Sequence, residues 1–212
     1  MKKYIADSLF LVETVESGKI NKTQLDFKFP FNLNFKIKIK KAEEFKGPGI
    51  YCASYKNEVI YIGSYNSFKP AIIHDRWKKH IMTFTNRGYR LGFNSVNNQY
   101  LIPETLRQYF DQEREWRYCD TGTVTSPNRL LFVLDNFEEF KYSDDNSLIQ
   151  DFSFYYCQMS QTKDSILQIE QELIKGLNPR CNNGFDRNKI TSERLTVARL
   201  EEELEKLIMC NK

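Results

Sequence analysis

Two short runs, Gly49-Ile50-Tyr51 and Tyr61-Ile62-Gly63, each place a phenol in one arm of a stretch that reads as a β-hairpin. Arg76 and His80 follow, four residues apart, so on a helix they share one face. A planar guanidinium suits bidentate contact with a phosphate, and a nearby imidazole can hold or pass on a proton. Glu170 falls inside an apolar stripe of Ile166, Ile169, Leu173, Ile174 and Leu177 when residues are placed at about 100° per position. A carboxylate there needs a cation, a metal or a proton, whereas Glu172, Gln168 and Lys175 lie on the wet face and need nothing. Plainer explanations exist for all of these residues. Two tyrosines across a hairpin pack, an Arg-His pair decorates a polar helix face, and a buried carboxylate pairs with an arginine.

The elements that must hold these residues are legible from periodicity. Both hairpin arms are rich in β-branched and aromatic residues, and Asn57 in the link tolerates the positive φ of a tight turn. With Tyr51 opposite Tyr61, Cys52 and Ile60 fall on the other face. Pro70 suits a first helical turn, and Ile73, Trp77 and Ile81 recur four apart as its buried stripe. A later helix is capped by Asp164 or Ser165 and runs to Leu177, where Asn178-Pro179 stops it. Leu130 to Leu134 reads as a buried strand, and Phe152 to Met159 as another. Phe35 to Lys41 alternates at period two, a strand with a lysine face that either blocks edge pairing or meets phosphate. Pro103 to Tyr118 reads as a helix with Leu106, Tyr109 and Phe110 inward, and Asp144-Asp145-Asn146 as a turn. Thr191 to Met209 reads as an amphipathic helix with Val197, Leu200, Leu204, Leu207 and Ile208 in one seam. It packs on its own domain or, alternatively, on a second copy.

Composition sets the outer limits. A chain of 212 residues that is 41% hydrophobic suits one globular domain with insertions. The net charge of +3 asks for a local cluster of Lys and Arg if the partner is an acidic polymer. Five cysteines with no close pair point to a reducing, cytoplasmic setting without structural zinc. Asp7 interrupts the first apolar stretch, which is too short for a signal-peptide core, and no run reaches membrane length.

Taken together, Gly49-Ile50-Tyr51, Tyr61-Ile62-Gly63, Arg76 with His80, and Glu170 before Leu173-Ile174-Lys175 with Pro179 and Asn182 beyond resemble the GIY-YIG endonuclease superfamily. The resemblance covers residues 47 to 92 and 150 to 183. It implies an α+β fold: a small antiparallel sheet of about three strands flanked by helices, with an N-terminal extension (1–46), a long central insertion (about 84–150) inside the core (47–183), and a C-terminal helical tail (184–212). It further implies metal-dependent hydrolysis of DNA phosphodiesters, with Glu170 holding Mg²⁺ (or Mn²⁺) and Tyr51 activating or positioning water. Tyr61 and His80 order the site, Arg76 neutralises the scissile phosphate, and Asn182 supports the metal side. One carboxylate suffices for a hard cation when phosphate oxygens and waters complete its shell. A phenol with an ordinary pKa near 10 is a poor base at neutral pH. The proton route therefore stays open between a phenol tuned by Arg76, metal-bound hydroxide, and His80.

The long section between the first helix and the Glu170 helix, with the N-terminal extension, resembles in placement the additions of stand-alone restriction enzymes. The expectation is a sequence-specific type II restriction enzyme acting on double-stranded DNA. Lys78, Lys79, Arg87, Tyr89, Arg90, Asn94, Asn97 and Asn98 are its candidate DNA contacts. A homodimer and a partner DNA methyltransferase go with that reading. The alternatives are a structure-specific repair or mobile-element nuclease, and a non-catalytic nucleic-acid binding module.

Overall fold

The computed structural model describes residues 1–16, 31–38, 47–67, 72–85, 127–142, 147–183, 186–189 and 193–210. In chain order the elements are β1 (Lys2–Ile5), α1 (Ala6–Leu9), β2 (Phe10–Glu16), β3 (Phe31–Ile37), β4 (Gly49–Tyr55) and β5 (Glu58–Tyr65). A π-helical turn (Ile73–Trp77) then runs into α2 (Lys78–Phe84), followed by α3 (Pro127–Asp135), α4 (Phe137–Tyr142) and α5 (Ser147–Gln150). The chain closes with β6 (Phe152–Gln158), α6 (Lys163–Leu177), a 3₁₀ turn (Arg187–Lys189) and α7 (Val197–Cys210).

Lys56 and Asn57 both take positive φ, 49° and 65°, which lets a two-residue turn join β4 to β5 with the twist that paired strands need. β6 pairs antiparallel with the other side of β4, and β1 pairs antiparallel with β6. The fold is thus α+β around a four-stranded antiparallel sheet in the order β1-β6-β4-β5. The expected three strands become four because Lys2–Ile5, read from sequence as part of an extension, occupies the sheet edge. β2 and β3 form a separate two-stranded ribbon. It contains the first part of the lysine-alternating stretch. Lys36 and Lys38 are exposed there, and Lys38 bonds Asp7 at 3.3 Å.

Each face of the sheet is covered. On one, Tyr51, Ala53, Tyr55, Phe152, Phe154 and Tyr156 pack against Ile73, Trp77, Ile81 and Phe84, with Phe132, Val133 and Phe140 closing the cluster. Trp77 lies flat on Phe154, centroids 4.8 Å apart. On the other, Ile50, Cys52, Val59 and Ile62 meet Ile166, Ile169 and Leu173 of α6, and Leu200 and Leu204 of α7. The C-terminal helix therefore packs on its own domain.

Several local expectations are corrected. Leu130 to Leu134 is helical, not a strand. An unbroken apolar run fits either state, and Pro127 pre-sets the φ of a first helical turn, so the run falls inside the helix Pro127–Asp135. Ile60 sits in the Tyr51 cluster rather than opposite it, because the register shifts between Ala53 and Ser54 and leaves Ile60 as the extra residue of a bulge. The N-cap of α6 is Thr162, whose hydroxyl accepts from Ser165 N. Helix α7 begins at Val197 rather than near Thr191, with Thr196 Oγ1 accepting from Arg199 N. The Pro103–Tyr118 helix and the Asp144–Asn146 turn lie outside the described residues. Among those described, no helix is long and apolar enough to cross a membrane.

Candidate functional site

The two phenols share a face. Tyr51 pairs with Gly63 and Tyr61 with Ala53, so they are diagonal neighbours rather than directly opposed, their ring centroids 6.1 Å apart. Glycine is required between them: a Cβ at Gly63 would stand 2.7 Å from the Tyr51 Cζ and hydroxyl oxygen, and 2.9 Å from Tyr61 Cε1. Gly49 is equally constrained, since a Cβ there would meet the Cys157 carbonyl oxygen at 2.2 Å. Both glycines of the paired motifs are thus explained by close approach alone.

His80 comes from α2. Trp77, His80, Ile81 and Phe84 recur at helical spacing and are all buried, which turns the imidazole inward. Arg76, one position before Trp77, is exposed. The pair therefore does not share a single polar face as its spacing suggested. His80 Nε2 lies 2.7 Å from the Tyr51 hydroxyl, and its ring is 4.5 Å from that of Tyr61 and stacked on Phe84. Burial, then the charges of Arg129 and Arg76, hold His80 well below the usual histidine range. Burial, and then Tyr61, hold the Tyr51 phenol well above its usual value. Arg76 pulls it the other way without reversing the shift. A neutral imidazole thus faces a neutral phenol.

Glu170 comes from the other side of the sheet. Helix α6 covers the opposite face of the sheet, and its carboxylate is half-buried rather than sealed in the core. Oε2 accepts a 2.5 Å bond from Ser64 Oγ, the residue after Gly63. The sequence left a cation, a metal or a proton to satisfy it, and a hydroxyl does part of that. The carboxylate also raises the Tyr51 phenol electrostatically, as the smallest of the influences on it.

Asn182 plays a backbone role. It is buried and reads both polar groups of Ile62: Oδ1 accepts from Ile62 N at 2.9 Å and Nδ2 donates to Ile62 O at 2.8 Å. Cys181 N donates to Ile60 O, and Val59 N to Leu195 O. This segment fastens the outer edge of β5, the strand that carries Tyr61, Gly63 and Ser64.

Sequence reading missed Asn128 and Arg129. Asn128 Nδ2 donates to Asn182 O at 2.7 Å. The Arg129 guanidinium lies 5.0 Å from the Tyr61 ring and 5.4 Å from the Phe84 ring. Taking the neighbouring apolar run as a strand hid them. A helix beginning at Pro127 carries both residues in its first turn, and that proline was the available signal. Of the candidate DNA contacts, Lys78 is half-buried and Lys79 exposed on α2. Arg87, Tyr89, Arg90, Asn94, Asn97 and Asn98 lie outside the described residues.

Among the described residues no cluster of three or more His, Cys, Asp or Glu side chains gathers as a metal site. A single half-exposed carboxylate does fit Mg²⁺, which keeps most of its waters and takes phosphate oxygens readily. Two surface cavities of about 390 and 300 Å³ border the C-terminal half of α6, and neither is lined by Tyr51, His80 or Arg76. The chain matches no protein-family model, no curated protein and no solved structure.

Proposed function

We propose that this chain is a metal-dependent DNA endonuclease of GIY-YIG type, acting on double-stranded DNA as a sequence-specific restriction enzyme. The observation that carries the reading is the 2.7 Å contact between the Tyr51 hydroxyl and His80 Nε2, with Tyr61 alongside and the exposed Arg76 close enough to perturb both partners. Packing alone asks for rings there. It does not ask for a buried proton-sharing pair beside a guanidinium.

Arg76 supplies the charge that phosphate oxygens require, and its planar fork suits two of them at once. Tyr51 on its own offers no base at neutral pH, because its raised pKa keeps the phenol protonated. Coupled to His80 it need never become a phenolate: the neutral imidazole takes the phenol's proton as the phenol accepts one from the attacking water. Glu170, held by Ser64, would be the protein ligand for Mg²⁺, which when bound would polarise the phosphate and stabilise the leaving oxygen. A homodimer and a partner methyltransferase belong to the restriction reading and stand or fall with it.

One feature favours a second reading, a nucleic-acid binding module without catalysis: Tyr51 is only 2% exposed. Incubation with plasmid DNA and Mg²⁺ or Mn²⁺ separates the cases. Discrete fragments support restriction, cutting confined to branched substrates supports a repair-type nuclease, and binding without cleavage under either metal leaves the module.

A further inference from the structure

We propose that Arg129 is a positioning residue of this site, the clamp through which the central segment fixes Tyr61 and the His80 ring against Tyr51. The inference rests on the endonuclease reading. It adds a residue that none of the paired motifs contains.

Three separate parts of the chain converge on this one guanidinium. Its Cζ lies over the rings of Tyr61 of β5 and Phe84 of α2, 5.0 and 5.4 Å from their centroids. Its Nη1 donates to Thr83 Oγ1 and its Nε to Cys181 O, both at 3.4 Å. The preceding residue, Asn128, donates to Asn182 O, so the same turn of α3 holds the segment that fastens β5. Phe84 in turn stacks on His80, 5.5 Å between centroids and 9° between planes. A guanidinium is suited to this: it stacks on aromatic faces while its edge keeps five donors in a fixed fork. Lysine has no such plane.

The clamp has an electrostatic consequence. The groups facing His80 are Tyr51 from β4, Tyr61 from β5, Arg76 from its own helical segment and Arg129 from α3, with Glu170 acting on Tyr51 from the far side. Two of them are fixed cations, and Arg129 is the larger influence of the two. Its charge disfavours a second proton on the imidazole, which keeps the resting His80 ring neutral.

The chain has two histidines, His74 and His80, so His80 can be followed by NMR as the single imidazole of a His74→Gln background. Arg129→Met keeps the unbranched stem and removes charge and donors. The expected result is that the His80 titration moves to higher pH in Arg129→Met, whereas Arg129→Lys, which keeps the charge, stays near the parent. In plasmid cleavage, Arg129→Met should lower kcat on the order of tenfold or more with KM little changed, and its acid limb should move with His80. Either an unmoved His80 titration or, in a parent that cuts, a wild-type kcat in Arg129→Met overturns the proposal. Should Arg129→Met not fold, Arg129→Gln carries the same test. If the parent protein cuts no DNA yet the His80 shift appears, the endonuclease reading fails and the clamp stands. If the parent cuts and the shift is absent, the reverse holds.

Discussion

Replacing Tyr51 with phenylalanine removes one oxygen from the centre of the site and leaves the ring that packs there. The area term is therefore close to zero, and the cost falls on the imidazole. His80 is buried, and its Nε2 makes its 2.7 Å contact with the Tyr51 hydroxyl. In either tautomer the substitution leaves a buried ring nitrogen without that partner. A typical net hydrogen bond is worth about 1 kcal/mol, but an orphaned buried donor or acceptor costs roughly 1–3 kcal/mol. We expect Tyr51→Phe to lose stability in the upper half of that range. Urea denaturation at pH 7.5, with coincident fluorescence and circular dichroism transitions as the two-state check, measures it. His80→Phe and the double variant complete a cycle, and a coupling energy of roughly 0.5–3 kcal/mol is expected for groups in direct contact. Less than about 0.5 kcal/mol of destabilisation, together with zero coupling, would refute the reasoning. The phenol and imidazole would then be packing neighbours and nothing more.

Stability should also depend on pH in a defined way. His80 is depressed in the fold, so below about 6.5 the unfolded chain binds a proton that the folded chain refuses, and stability falls as pH drops. Tyr51, Tyr55 and Tyr156 are raised by burial, Tyr156 to about 12, as are Cys52 and Cys181, the latter also to about 12. Above about 8.5 for the thiols and about 10 for the phenols, the unfolded chain ionises first and stability falls again. Chemical denaturation across pH should therefore give a plateau bounded on both sides; flat stability down to pH 5 would contradict the buried neutral imidazole. Asn182→Ala orphans the Ile62 N–H and C=O at roughly 1–3 kcal/mol each, readable by denaturation and by faster amide exchange at Ile62. Gly63→Ala should destabilise by about 1–3 kcal/mol through its contact with both phenols, whereas Gly176→Ala, with nothing within 4 Å of its new Cβ, should stabilise α6 by about 0.5–1 kcal/mol. A thermal melt that ranks the two glycines the other way rejects the close-approach account.

How much of this was legible follows from which interactions are local. The hairpin turn at Lys56–Asn57, the buried Ile73-Trp77-Ile81 stripe and the α6 stop at Asn178-Pro179 are set by residues within a turn or two, and the sequence displays them. The bulge at Ile60 and the diagonal register of Tyr51 and Tyr61 depend on how two strands settle against each other, which alternation alone does not encode. The place of Lys2–Ile5 in the central sheet depends on a partner about 150 residues away, Tyr156 for Lys2, and no local pattern announces it. Leu130–Leu134 was ambiguous in kind, because five apolar residues in a row carry no period. That ambiguity hid Asn128 and Arg129. Glu170 was found by its place in an apolar stripe, yet its real partner, Ser64, lies on another element and was invisible.

The most direct test of the central claim is cleavage of plasmid DNA in Mg²⁺ by the unmodified chain, by Glu170→Ala and by Glu172→Ala, with DNA binding measured on all three. Glu170 is half-buried and bonded to Ser64, whereas Glu172, two positions on, is exposed on the outer face of α6. The account predicts cleavage by the unmodified chain and by Glu172→Ala, and binding without cleavage by Glu170→Ala. Full activity in Glu170→Ala, or equal loss in both variants, would contradict it.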